Sequence, residues 1–296
     1  MKHSYYEASA RERIARLLDP GSFREILPPS ARVVSPHLTA LDLPVAFDDG
    51  VIVGSGALDA RPVLIAAQEG GFMGGAVGEV HGAKIVGLLE RASRERPAAV
   101  LLLLESGGVR LQEANAGLIA VSEVMRAILA AHAANVPVLA AIGGQYGCFG
   151  GMAIAARCCN AIVMSEEGRL GLSGPEVIET ANGVEEFDSR DRALVWRTVG
   201  GKHRYLIGDC DLLVEDDIAE FRAAFTELAS EAEAFTLEAV GREHEMLGRR
   251  IESFGKCPDA HDIWRKLGWE DPDRVSLFGA REFVRHAETR RAKVSR

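Results

Sequence analysis

Cysteines are few and fall into no pattern. Cys148, Cys158, Cys159, Cys210 and Cys257 offer neither a Cys-x-x-Cys pair nor zinc-ligand spacing, which excludes a zinc ribbon and a dithiol redox centre. Their odd number points to reduced thiols. The opening "MKHSYYEASARERIARLLDP" contains no apolar signal core and reads as a charged helix stopped at Pro20. No apolar run is expected to approach the roughly 20 residues that a membrane span needs. Positive charge is also scarce: 34 Lys and Arg face 43 Asp and Glu, a net charge of −9. That balance argues against a nucleic-acid or anionic-membrane partner. A cytoplasmic protein is the expectation. The Walker phosphate pattern, low-complexity tracts and internal arrays are missing too.

What the sequence does contain is alternation of strands and helices. After a Pro- and Ser-containing connector, "PVAFDDGVIVGSGALDARPVLIAAQE" predicts a β-meander. Within it "GSG", Gly54 to Gly56, reads as a hairpin turn. "GGFMGGAVGEVHGAKIVGLLERASRE" opens with glycines and becomes a helix closed by Pro97. The strand "AAVLLLLE" then meets Gly107 and Gly108, and a helix is expected from Leu111. A second strand, "VLAAIG", meets "GGQYGCFGG" and a second helix. Such alternation predicts an α/β fold with parallel strands and crossover connections. From Asp216 onward the pattern is helical, and Ile218, Phe221, Phe225 and Leu228 form a stripe at helical spacing, suited to a core or a subunit interface. The chain therefore divides into an N-terminal helix and connector (1–40), an α/β core (41–215) and a C-terminal helical region (216–296) that packs on the core or on a partner.

Two buried strands that each end in a glycine pair before a helix suggest more than turns. N–H groups at a helix start lack intrahelical acceptors, and the helix dipole there favours negative charge. Two such corners in one fold could aim two N–H donors at one oxygen, an oxyanion hole.

The segments "GFMGGAVGEVHGAKI", "ESGGVRLQE" and "GGQYGCFGGMAIAARCCNAIVMSEEGRLGLSGPEVIE" resemble the carboxyltransferase β-type subunits of the crotonase superfamily. With "SPHL", "GVRLQEANAGLIAVSE" and "DSRDRALVWRTVGGKHRYL" the resemblance extends, over roughly residues 10 to 215, to the β subunits of malonate decarboxylases. It implies a crotonase-like ββα superhelix with a C-terminal helical extension. It implies a malonyl thioester substrate, delivered on the phosphopantetheine arm (a coenzyme-A-like group) of an acyl-carrier protein subunit. It also implies a γ subunit of similar fold, and an acyltransferase subunit, as partners. Gly107 and Gly108 match the first oxyanion-loop glycines of that family, and Gly150 and Gly151 match the second pair. The four-cysteine zinc ribbon of acetyl-CoA carboxylases is missing, and "GQYGCFGG" stands where that family has a threonine-containing loop. Both departures weigh against the carboxylase.

The implied reaction breaks a C–C bond and places charge on a thioester oxygen, so it calls for preformed donors and needs neither a nucleophile nor a metal. Tyr146, Glu113, Glu176 and His81 are candidates to protonate the enolate. Arg110 suits a substrate carboxylate or coenzyme phosphate, or simply Glu113 one turn on. Met73, Gly74 and Gly75 line a thioester channel or allow close helix–sheet packing, and Tyr146 is a further candidate to bind the substrate. Cys148 and Ser106 lack a neighbouring histidine in sequence and are set aside as nucleophiles, and Ser173 lacks the glycines of a nucleophile elbow. His203 reads as a structural histidine. The alternatives are a carboxyltransferase β subunit of a biotin-dependent enzyme and a non-catalytic scaffold that docks the carrier.

Overall fold

Short strands buried on both faces organise the chain. In the computed structural model residues 2–231 and 235–291 are described. The N-terminal part holds α1 (Ala10–Leu17), β1 (Arg24–Ile26), α2 (Pro36–Ala40) and the hairpin β2 (Val51–Leu58) and β3 (Arg61–Gln68). The centre follows with α3 (Glu79–Glu95), β4 (Ala99–Leu103), α4 (Asn115–Ala133), β5 (Val138–Ile142), β6 (Cys148–Phe149), α5 (Gly151–Arg157), β7 (Ala161–Ser165) and β8 (Leu170–Gly171). Then come α6 (Pro175–Asn182), α7 (Arg192–Val199), α8 (Gly201–Leu206), β9 (Leu212–Val214), α9 (Ile218–Glu231), α10 (Leu237–Phe254), α11 (Ala260–Lys266) and α12 (Ala280–Arg291).

Seven strands form one sheet in the order β1-β2-β3-β4-β5-β7-β9. The first three are antiparallel; from β3 onward every pairing is parallel, with Ile65 opposite Leu101 and Leu101 opposite Leu139. Successive side chains point to opposite faces, which explains the leucine run. Val100 and Leu102 enter a core with α3, α4 and α5, while Leu101 and Leu103 enter a second core with α1 and α9. Each fully buried leucine contributes about 1.5–3 kcal/mol, so the strand end that precedes Gly107 is firmly held.

Between each main strand and its helix the chain takes a short extended step, and these steps pair with one another. Val77 bridges Val109, Ser106 bridges Cys148, and β6 pairs with β8, all in parallel. Strand, short strand, helix, repeated, is the ββα superhelix that the resemblance implies.

Two local expectations are corrected. Gly54 to Gly56 lie inside β2, where a Cβ on Gly54 would come within 2.3 Å of the Phe23 ring. The hairpin turn falls instead at Asp59 and Ala60, with φ of 50° and 59°, the pair of positive values a two-residue hairpin loop demands. The helix expected from Leu111 is a single 3-10 turn, Leu111–Glu113, broken from α4 by Ala114 at φ 45°, ψ −124°. Of the two places suited to the stripe of Ile218, Phe221 and Phe225, the structure realises the core: it is buried in this chain's own second core against α1 and the sheet. The N-terminal segment is equally integral, since Tyr5, Ile14 and Leu17 belong to the same core.

Candidate active site

The two glycine corners follow the C-terminal ends of the neighbouring strands β4 and β5, and the fold brings them together. A Cβ on Gly150 would lie 3.2 Å from the Cα of Gly108. Gly108 has φ +131° and Gly150 has φ +62° with ψ −141°, conformations that favour glycine. The third glycine strip closes the group from the other side. Gly107 N–H donates to Gly74 O at 2.8 Å, and the Tyr146 ring lies against Gly70 and Gly74.

Which N–H groups remain for a ligand is decided by main-chain pairing. Gly107 N–H is taken by Gly74, and Gly108 N–H donates to Ser106 Oγ at 3.2 Å. Gly150 N–H donates to Leu172 O at 3.0 Å. The Gly107, Gly108 and Gly150 donors expected from sequence are thus internally satisfied, and the glycines serve as the corners themselves. Val109 is different. Its neighbours bracket Val77, with Val77 N–H donating to Gly108 O and Arg110 N–H to Val77 O, both at 2.9 Å. Val109's own N–H therefore points away from Val77. Gly151, the first residue of α5, has no intrahelical acceptor for its N–H. Val109 and Gly151 directly follow the two glycines in contact, and theirs are the N–H groups that suit an oxyanion. Sequence reasoning missed Val109; the signal was the residue after each corner, not the corner.

Gly75 belongs to packing. A Cβ there would come within 1.8 Å of Glu105 O, so only glycine lets this strip approach the β4 corner. Met73, Gly74 and Gly75 have successive φ of 51°, 64° and 67°, a left-handed run that turns the strip past Tyr146.

Arg110 is corrected as a substrate residue. Its side chain is fully buried with those of Asp49 and Glu113. Nη1 donates to Asp49 Oδ2 at 2.8 Å and to Glu113 Oε1 at 2.9 Å; Nη2 donates to Asp49 O and Nε to Ala76 O. Of its two sequence readings, the Glu113 pairing is the one realised, and the side chain is closed off within the buried cluster. Glu113 also accepts from Glu79 N–H at 2.7 Å, at the head of α3. Burial alone would raise its carboxyl, but that N–H and Arg110 hold it below the usual carboxylate range. It stays ionised and is no proton donor. Burial drives His81 down to about 3, so it is neutral, bonded to Gln68 and to Asp49 O. Glu176 stands exposed in the first turn of α6. Of the four proton-donor candidates, Tyr146 touches the glycine strip.

Ser106 is fully buried, its hydroxyl closing the turn to Gly108 O. Cys148 is fully buried in the main core, where desolvation pushes its thiol far up. Cys148→Ala is therefore expected to keep turnover within about threefold, since an inert buried thiol contributes packing and no chemistry. A hundredfold loss in a folded variant, measured by steady-state turnover, would restore sulfur to the reaction. His203 is buried, driven down to about 3, and accepts from Trp264 Nε1 at 3.2 Å. Among the described residues no group of three His, Cys, Asp or Glu is disposed to hold a metal.

The corner is an open face. Leu111 and Leu172 beside it are 85% and 68% exposed, and Leu118, Ile119, Ile154 and Val177 are exposed as well. α4 itself is long and apolar enough to cross a membrane by length and composition, with a mean hydropathy of 1.4. Its inner residues Val121, Val124 and Ile128 nevertheless sit in the main core, while Leu118 and Ile119 are exposed on its outer side. A cavity of about 810 Å³ opens at the opposite end of the sheet, between α10 and the ends of α4 and α5, and shares no residue with the corners.

The carboxyl transferase domain model matches residues 2–233. The malonyl-S-ACP:biotin-protein carboxyltransferase of Malonomonas rubra is 40% identical over 311 residues, spanning 98% of this chain and 97% of its own. A chain of a Pseudomonas malonate decarboxylase hetero-tetramer, solved with malonate, is 43% identical with a TM-score of 0.83, over 90% of this chain and 97% of that one. A chain of the Pseudomonas malonate decarboxylase MdcD-MdcE hetero-dimer is 39% identical over the same shares, with a TM-score of 0.65. The chain belongs to the carboxyl transferase family and has the crotonase-like fold of its malonate decarboxylase relatives.

Proposed function

We propose that this chain is the β-type subunit of a cytoplasmic malonate decarboxylase, acting with a γ-type subunit on a malonyl thioester. The observation that carries the reading is the close approach of Gly108 and Gly150, the residues directly before Val109 and Gly151, whose N–H groups we take as the two donors. The thioester would arrive on the phosphopantetheine arm of an acyl-carrier protein, charged by an acyltransferase subunit. The bond between the methylene carbon and the carboxylate breaks, carbon dioxide leaves, and the electron pair passes to the thioester oxygen as an enolate. Two preformed donors at that oxygen contribute about 3–4 kcal/mol each. A proton from water then goes to carbon and yields the acetyl thioester. Likeness to Pseudomonas malonate decarboxylase and to a malonyl-ACP carboxyltransferase supports this assignment.

A second reading, carboxyl transfer to biotin on a carrier protein, draws on the Malonomonas relative, whose name specifies a biotin protein as acceptor. Carbon dioxide release from a malonyl thioester, measured with and without a biotin carrier, separates the two. Release that depends strictly on the carrier would replace decarboxylation by transfer.

The exposed apolar rim of the corner implies a partner. Large exposed apolar patches on a soluble protein mark interaction sites, and stable subunit interfaces bury upward of about 2,000 Å². The isolated chain is expected to self-associate, and co-expression with a γ-type subunit is expected to give a discrete heteromer active on malonyl thioesters. A purified chain that is monomeric and fully active in gel filtration and turnover assays would overturn the two-subunit reading.

A further inference from the structure

Glu105, the residue that leads β4 into the first corner, has its carboxylate divided between two tasks. Oε2 pairs with Arg13 Nη1, an ion pair whose side chains are 2% and 5% exposed. Oε1 accepts the Tyr146 N–H at 3.0 Å. The surroundings are cut to fit this carboxylate. A Cβ on Gly144 would lie 2.3 Å from it, and one on Gly70 would lie 2.7 Å from it and 2.5 Å from the Tyr146 ring. Glu105 thus joins the end of β4 to the turn after β5, at the point where that turn lays Tyr146 on Gly70 and Gly74.

Arg13 brings the N-terminal segment into the arrangement. Its Nε donates to Tyr5 O at 2.9 Å, its guanidinium lies 4.4 Å from the Tyr5 ring centroid, and Tyr5 stacks on Phe221 of α9 at 4.1 Å. The other half of the same turn is held without Glu105. Ser106 N–H donates to Gly147 O at 2.7 Å, Phe149 N–H to Ser106 O at 2.8 Å, and Gly150 N–H to Leu172 O at 3.0 Å.

We propose that Glu105 is a positioning residue: through its carboxylate it holds the Tyr146 turn as the wall of the thioester channel, while the Gly151 donor is held independently. The channel part of this assignment rests on the malonyl-thioester reading. Loss of the Glu105 acceptor therefore raises KM for the malonyl thioester and leaves kcat nearly unchanged.

Removing Glu105 alone would strand Arg13 as a buried unpaired charge, so the test compares two neutral replacements of the pair in the assembled heteromer. Arg13→Met/Glu105→Gln keeps a carbonyl oxygen for the Tyr146 N–H; Arg13→Met/Glu105→Leu does not. The Gln pair is expected to hold KM within about threefold of the parent. The Leu pair is expected to raise KM about tenfold, with kcat within about threefold, because the Tyr146 N–H loses the acceptor that fixes the turn. Amide exchange over residues 143–147, read without substrate, should be about tenfold faster in the Leu pair than in the Gln pair, while the 148–152 segment exchanges alike in both. Equal exchange over 143–147 overturns the proposal, whatever the activity. So does a fall in kcat with KM unchanged. If the parent does not act on a malonyl thioester, the exchange contrast still stands, and the failure is that of the functional reading alone.

Discussion

Val109→Pro is expected to lower turnover of a malonyl thioester by at least about a hundredfold while the chain stays folded. Proline removes the N–H and exchanges the Val109 side chain, which packs on the main core, for an apolar ring. The bridge beside it is made by Gly108 O and Arg110 N–H, both to Val77, and neither group is altered. The preceding residue is glycine, which tolerates the restriction proline imposes on its neighbour. Losing one oxyanion donor costs about 2.7–4 kcal/mol of barrier, or about 10²–10³ in rate. Val109→Ala keeps the N–H and is expected to retain activity within a few-fold. A proline at Gly108 would be a poorer probe: its φ of +131° excludes proline and its N–H already serves Ser106, so the result would report on the turn. Near-normal kcat in a folded Val109→Pro variant would remove the β4 corner from the mechanism.

The same residues show how far the sequence could be read. Gly107, Gly108, Gly150 and Gly151 mark the corners because a glycine pair after a buried run signals a backbone turned in ways other residues resist. That much is local and legible. The free donors lie one residue further on at the first corner, because Gly107 and Gly108 are consumed by Gly74 O and Ser106 Oγ. That outcome depends on which extended steps lie side by side, and no side-chain pattern records it. The stripe from Ile218 to Phe225 was legible as an amphipathic helix, yet helical spacing says nothing of which surface receives it. Here it is the second face of the sheet. The break at Ala114 was invisible, since alanine is the residue least expected to leave a helix. Glu105 was passed over for a related reason: its partners Arg13 and Tyr146 lie 92 and 41 residues away.

Arg110 illustrates both limits and supports the second large prediction. Sequence spacing pairs it with Glu113, three residues on, whereas Asp49 is 61 residues away and comes from the loop before β2. The guanidinium ties that loop, the strip at Ala76, and the turn before α4 into one buried cluster. Arg110→Met is of similar reach but leaves Asp49 and Glu113 buried without a cation. Breaking a buried pair by removing one partner costs about 3–5 kcal/mol. For a domain somewhat smaller than this chain each kcal/mol is worth about 2–4 °C, so Tm is expected to fall by roughly 6–20 °C. Arg110→Lys, which offers a single ammonium and cannot serve Asp49, Glu113 and Ala76 together, should fall between parent and Met variant. Acid sensitivity changes as well. Glu113's lowered carboxyl contributes stability that is present above the ordinary carboxylate range and lost as pH falls through its folded value; without Arg110 much of that acid-dependent part disappears. Thermal unfolding at neutral and acidic pH measures both effects. A Met variant whose Tm stays within about 2 °C of the parent would show that the cluster does not hold the corner, and would return Arg110 to consideration as a residue for substrate.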